Sequence, residues 1–295
     1  MAFSAAANSG TRLTVLNSTA KELVSRQHSY SSPVMRAAGT RVLIYNLGGN
    51  GYQIESRSKT IAVKSAANNI LAGDIAANGK YALVTEEKGY CSMLTVYLAD
   101  HTEQYRFEFA DYYVTDISLN RDGTKAAVTG LSAAGGAMVS AVYLFDFSQP
   151  KETAKFTYEE CLMLGVAYSE DGSVFAVGDS LASVVKPGGK EKVDYSYGSQ
   201  RLTDYTVDNG RLALALSPYA DSESGVLVLL DSTGKELHTI QCSAKIESVS
   251  LFGDTVAVLS GGIVQGYTVT AGMASGSCGA GNDAKAIALH DESSV

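Results

Sequence analysis

Four acids recur at comparable places along the chain: Asp74, Asp116, Asp204 and Glu247. Gly165 and Ser32 take the matching place elsewhere. Carboxylates converging on one opening could hold a cation, a water cluster or a basic side chain of a partner. The competing reading is that each acid accepts hydrogen bonds from nearby backbone amides where a loop becomes a strand. A second set joins tyrosine to acids, in Asp111-Tyr112-Tyr113, Tyr158-Glu159-Glu160, Tyr195-Ser196-Tyr197 and Tyr219-Ala220-Asp221. Tyr combines a broad apolar ring with a hydroxyl and is enriched at interfaces. Asp111, Tyr112, Tyr113, Glu159, Glu160, Tyr219 and Asp221 therefore make a candidate face for a protein or glycan partner, unless the rings pack between strands.

Catalytic patterns are thin. The chain has neither a G-x-S-x-G elbow nor an H-E-x-x-H pair. Its four histidines, His28, His101, His238 and His290, are dispersed. Gly279-Ala280-Gly281-Asn282 is glycine-rich, but no helix pattern follows to receive a pyrophosphate. Cys91, Cys161, Cys242 and Cys278 form no CxxC pair, which argues against a zinc knuckle or a redox dithiol. Asp122 and Asp171 each precede a glycine and read as turn formers, since their surroundings offer too few oxygen ligands for calcium. No catalytic residue, metal site or cofactor is expected.

The elements that must position these residues follow from repetition. Short apolar stretches, each broken by a glycine turn, recur around Gly39, Gly79, Gly123, Gly172, Gly210 and Gly253, spaced 40, 44, 49, 38 and 43 residues apart. Asn-Gly and Asp-Gly between apolar runs signal tight hairpins, because both turn positions tolerate positive φ. A second strand pair follows each hairpin, as in Val226–Leu230 and Glu236–Ile240. Four short strands at a period of 40 to 45 residues make the blade of a β-propeller. First strands begin near positions 34, 72, 115, 164, 203, 247 and 285, which gives seven blades of four antiparallel strands. Leu16-Asn17-Ser18-Thr19-Ala20-Lys21-Glu22-Leu23 parallels Leu230-Asp231-Ser232-Thr233-Gly234-Lys235-Glu236-Leu237, the second half of a blade. Lys285–Leu289 reads as a first half, so N- and C-terminal strands are expected to share the closing blade, whose C-terminal part is truncated. Residues 1–10 read as a flexible leader or cloning scar, and residues 11–295 as one propeller domain.

Composition agrees. Hydrophobic residues are 45 % of the 295 and charged residues 18 %, below the roughly 25 % of an average globular chain, as suits sheets buried on both faces. Twenty-three basic and 31 acidic residues leave a net charge of −8, which speaks against a nucleic-acid partner. No run approaches a membrane span in length.

The hairpins Ser118-Leu119-Asn120-Arg121-Asp122-Gly123-Thr124-Lys125-Ala126-Ala127-Val128 and Ala167-Tyr168-Ser169-Glu170-Asp171-Gly172-Ser173-Val174-Phe175-Ala176 resemble those of WD-repeat-like, TolB-like and quinoprotein-like propellers. There is no Trp, hence no Trp-Asp ending and no stacking wall for a quinone, and no Gly-His dipeptide. The overall texture is similar to an uncharacterised propeller family of Gram-positive bacteria. That resemblance implies an extracytoplasmic propeller, held at the membrane only through an anchor in the full-length protein. The expected function is a monomeric, non-enzymatic binding or scaffold module for a protein or glycan. The alternatives are a lactonase or hydrolase using a metal held by the acids, and a propeller that only spaces other domains.

Overall fold

The computed structural model describes residues 5–9, 11–16, 21–134, 136–219, 222–281, 283–289 and 291, and every helix or strand among them is a β-strand. The N-terminal sheet runs β1 (Ala5–Ser9), β2 (Arg12–Leu16), β3 (Glu22–Gln27). Six four-stranded sheets of consecutive strands follow. They are β4 (Pro33–Ala38), β5 (Arg41–Asn46), β6 (Gly51–Ser56) and β7 (Thr60–Ser65); then β8 (Ile70–Ile75), β9 (Tyr81–Glu87), β10 (Tyr90–Tyr97) and β11 (Glu103–Phe109). Next come β12 (Tyr113–Leu119), β13 (Lys125–Ala134), β14 (Ala137–Asp146) and β15 (Ala154–Glu159), and β16 (Met163–Tyr168), β17 (Val174–Gly178), β18 (Leu181–Val185) and β19 (Lys192–Ser196). The last two sheets are β20 (Arg201–Asp208), β21 (Arg211–Ser217), β22 (Gly225–Asp231) and β23 (Glu236–Cys242), and β24 (Ile246–Phe252), β25 (Thr255–Ser260), β26 (Ile263–Thr268) and β27 (Ala274–Gly279).

The expected first strands are β4, β8, β12, β16, β20 and β24. The closing sheet differs from expectation in detail. It has three strands rather than four, and the neighbour of β2 is β1, drawn from the stretch that composition reads as a leader. Residues 285–289 are not in a strand. Their backbone is instead held by the preceding sheet, with Ile287 N–H donating to Ser248 Oγ (3.4 Å) and Leu289 N–H to Ser250 Oγ (3.0 Å).

The chain divides into two compact units, Met1–Tyr168 and Ser169–Val295. In the first, Tyr105, Phe107 and Phe109 of β11 meet Tyr143 and Phe145 of β14 ring to ring, with centroids 4.9–6.2 Å apart. In the second, Leu212, Leu214 and Leu216 of β21 pack on Phe175, Val177 and Val184, while Ala213 and Ala215 face Val256 and Val258 of β25. A second strand thus buries both of its faces, which is why it reads as continuous apolar sequence. Fourth strands such as Glu103–Phe109 bury alternate residues and carry the charge.

All six turn glycines have positive φ. At Gly123 (φ +57°) a Cβ would also lie 2.9 Å from Lys80 Cβ and 3.0 Å from Ala76 Cβ, in the hairpin of the preceding sheet. Gly123→Ala therefore meets backbone strain and a clash together. It is expected to cost about 2–3 kcal/mol, read as a lower urea midpoint at unchanged slope.

Candidate functional site

Four first strands, β8, β12, β20 and β24, carry a β-bulge near their start, whereas β4 pairs with β5 in unbroken register. The residue passed over in the ladder is Leu71 in β8, Thr115 in β12, Thr203 in β20 and Glu247 in β24. This register sets the four acids at three different levels of their strands, although Asp74 and Asp116 still lie close enough to interact. Asp116 and Asp204 stand just after the bulge, Asp74 stands three residues after it, and Glu247 is the bulged residue itself.

The three aspartates each accept a backbone amide of the next sheet. Val166 N–H donates to Asp116 Oδ2 (3.1 Å), Val249 N–H to Asp204 Oδ2 (2.8 Å) and Leu119 N–H to Asp74 Oδ2 (2.7 Å). Hydroxyls do the same work at other levels. Tyr168 N–H donates to Ser118 Oγ (3.0 Å), Val114 N–H to Ser92 Oγ (3.0 Å) and Met163 N–H to Ser140 Oγ (3.1 Å), with Ser92 and Ser140 both fully buried. Where sheets meet edge to edge, the first strand has no ladder partner on that side, and these side chains supply the missing acceptors.

The first unit adds charge to this arrangement. Arg36 Nη2 donates to Asp116 Oδ1 at 2.7 Å across 80 residues of sequence. Asp74 lies half-buried beside them, and desolvation raises its carboxyl from 3.8 to about 7, although the Leu119 and Ile75 amides and the Arg36 charge oppose the rise. Burial likewise lifts the Tyr45 hydroxyl to about 12. No group of three or more His, Cys, Asp or Glu placed to hold a metal ion occurs among the described residues.

The tyrosine–acid face also divides. Tyr112 is 8 % exposed, edge-on to Tyr143 at 5.7 Å, with the Lys155 ammonium 4.3 Å above its ring. Its neighbour Tyr113 is 62 % exposed, as the alternation at a strand start dictates. Tyr113 borders a groove of about 690 Å³ with Cys91, Asp111, Leu131, Ala137 and Met138. One wall is a tongue. The ladder between β13 and β14 runs out to Ala134 and Ala137, whereas β12 pairs no further than Leu131 and β15 no further than Val139. Glu159 is exposed, and Glu160, with φ +55°, brings its N–H to Met138 O at 3.4 Å. In the second unit Tyr219 is 63 % exposed, Tyr197 is buried, Tyr195 Oη donates to Glu236 (2.9 Å), and Asp221 lies outside the described residues.

The second unit holds a separate cavity of about 580 Å³ at the start of β20 and β24, lined in part by Arg201, Lys245, Glu247 and Lys285. Of the four acids, Glu247 alone lines it. Sequence spacing pointed to an acidic opening and missed these cations; Arg201 opens β20 and Lys245 precedes β24, whereas Lys285 lies outside any strand.

The remaining candidates have structural partners. Asp171 Oδ1 accepts from Ser173 N–H (3.0 Å) and Oγ (2.6 Å) as a turn former. His101 Nδ1 lies 3.3 Å from Tyr81 Oη and His238 Nε2 3.1 Å from Thr270 O, while His290 is outside the described residues. All four cysteines are free.

Two solved structures share this architecture. Hydrazine synthase from Kuenenia stuttgartiensis aligns at a TM-score of 0.57 and 13 % identity, over 90 % of this chain and 92 % of that one. Apo AztD from Citrobacter koseri aligns at 0.64 and 8 % identity, over 96 % and 87 %. With the strand order, these similarities show a β-propeller fold. No curated protein matches the sequence. One family model spans residues 8–279, nearly every strand described above, and the chain belongs to that family, the Family of unknown function DUF5711.

Proposed function

We propose that the protein is a non-enzymatic binding or scaffold module that takes a protein or glycan partner in the groove beside Tyr113. The observation that carries this reading is the tongue of β13 and β14. Both strands are 10 residues long and outrun their neighbours, so their ends form a two-stranded wall whose β13 edge has no ladder partner beyond Leu131, beside an exposed Tyr and Met138, which is 40 % exposed. Large apolar side chains left in water next to a free strand edge favour a partner that covers both. Asp111 and Glu159 at the same end supply a polar rim.

The test is partner capture from the envelope of the source cell, with the captured species then titrated as a purified component. Tyr113→Ser is expected to weaken it about 30-fold or more, as loss of an aromatic anchor does. Asp204→Asn should leave binding intact, because Asp204 serves the strands. Equal affinity of wild type and Tyr113→Ser would overturn the assignment. Tyr112 is unsuited to the test, since its ring is buried against Tyr143 and its loss would disturb the core.

The similarity of the chain's overall texture to an extracytoplasmic propeller family of Gram-positive bacteria supports display outside the cell, tethered by an anchor in the full-length protein. Protease accessibility in intact cells checks this. Resistance until lysis would refute it.

A further inference from the structure

We propose that the cavity at the start of β20 and β24 is a binding site for a small ligand bearing an oxyanion, a phosphate or a carboxylate. Every residue that lines it lies in the second unit, and none borders the groove beside Tyr113.

Successive repeats bring equivalent positions to one place. Leu202 and Ile246 are the ladder residues just before the two bulges, Thr203 and Glu247 are the bulged residues, and Arg201 and Lys245 precede them. Lys285 completes the series. Ile287 N–H donates to Ser248 as Val249 N–H donates to Asp204, so Lys285 stands two residues before its clasp, as Glu247 does before Val249. A bulge re-aims the side chain it carries, and bulges gather beside binding sites for that reason.

The charge is out of keeping with the rest of the molecule. Three cations and one acid line this cavity, a local balance of +2 in a chain of net −8. Arg201, Lys245 and Lys285 take part in no ion pair among the described residues, although Glu247 lines the same cavity. Three cations that converge without neutralising one another form an electropositive bowl, suited to a planar or tetrahedral oxyanion. Glu247 gives it polarity. A ligand with a hydroxyl or amine beside its oxyanion satisfies both charges, whereas a bare anion meets repulsion on that side. A volume near 580 Å³ suits a metabolite-sized molecule rather than a polymer.

The experiment is calorimetric titration of the whole chain with inorganic phosphate and, separately, with acetate, each at ionic strength held constant with sodium chloride. Saturable heat with at least one anion is expected, and which one answers distinguishes phosphate from carboxylate ligands. Arg201→Gln, Lys245→Gln and Lys285→Gln combined should weaken that binding by at least about tenfold, and Glu247→Gln should tighten it. These side chains are exposed, so the variants should fold, as an unchanged melting temperature in chloride verifies. Lys151→Gln with Lys190→Gln, elsewhere on the surface, should leave the titration unaltered. No saturable heat with either anion, or an equal response from the triple variant, would overturn the proposal.

Discussion

Asp116→Ala is expected to lower folding stability by about 3–4 kcal/mol, most of the margin of an ordinary domain. The substitution leaves the Val166 N–H without its acceptor and removes the carboxylate that Arg36 holds at 2.7 Å. Arg36 keeps about 40 % of its side chain in solvent, so the lost ion pair contributes the smaller part and the orphaned amide the larger. Asp116→Asn separates the two, because its amide oxygen can still accept from Val166; a loss near 1 kcal/mol is expected. Urea unfolding of both variants measures the difference. Were the acid a ligand group instead, both substitutions would be nearly neutral or stabilising without metal, and Asn would abolish a calcium-dependent rise in melting temperature.

The second large effect is on pH. Asp74 titrates at about 7 when folded, against an ordinary value of 3.8. The folded state therefore holds its proton more tightly than the unfolded chain. Its contribution to stability is fully present below pH 4 and is lost as pH rises from there to about 7. A shift of this size corresponds to at most about 4 kcal/mol. Asp74→Asn keeps an acceptor for the Leu119 N–H but has no proton to lose. The variant should match wild type at pH 4.5 to within about 1 kcal/mol and exceed it by about 2–3 kcal/mol at pH 8. Parallel pH profiles for the two proteins would show that Asp74 ionises normally in the fold.

The repeat was legible because its signals are local. Asn78-Gly79 and Asp122-Gly123 mark turns through backbone preference alone, and the apolar run of Arg211–Ser217 reports a strand buried on both sides. Bulges are not local in that sense. Leu71, Thr115, Thr203 and Glu247 look like ordinary strand residues, and only the register reveals the ladder step they skip. Grouping Asp74 with Asp116 and Glu247 by sequence spacing therefore mixed three different levels of the strands. Tyr112 and Tyr113 show the same limit: adjacent identical residues have opposite fates, fixed by which one lies against Tyr143. The length of the β13–β14 tongue was hidden because Ser132-Ala133 and Ala137-Met138 carry neither turn nor strand signature of their own.

The clasps between sheets have a direction. At Asp74, Ser92, Asp116, Ser118, Ser140, Asp204, Ser248 and Ser250 the acceptor precedes its amide donor in the chain. On the ribosome, each sheet thus emerges with its acceptors in place and its donors still unmade. A finished sheet serves as a template on which the next first strand is aligned as it leaves the exit tunnel. Nascent chains stalled after β27 but before Lys285 would present Ser248 and Ser250 unfilled, with Leu259 and Val264 stripped of their cover from Ile287 and Leu289. Residues 285–289 would then latch this sheet in a vectorial assembly, filling acceptors that synthesis had left open.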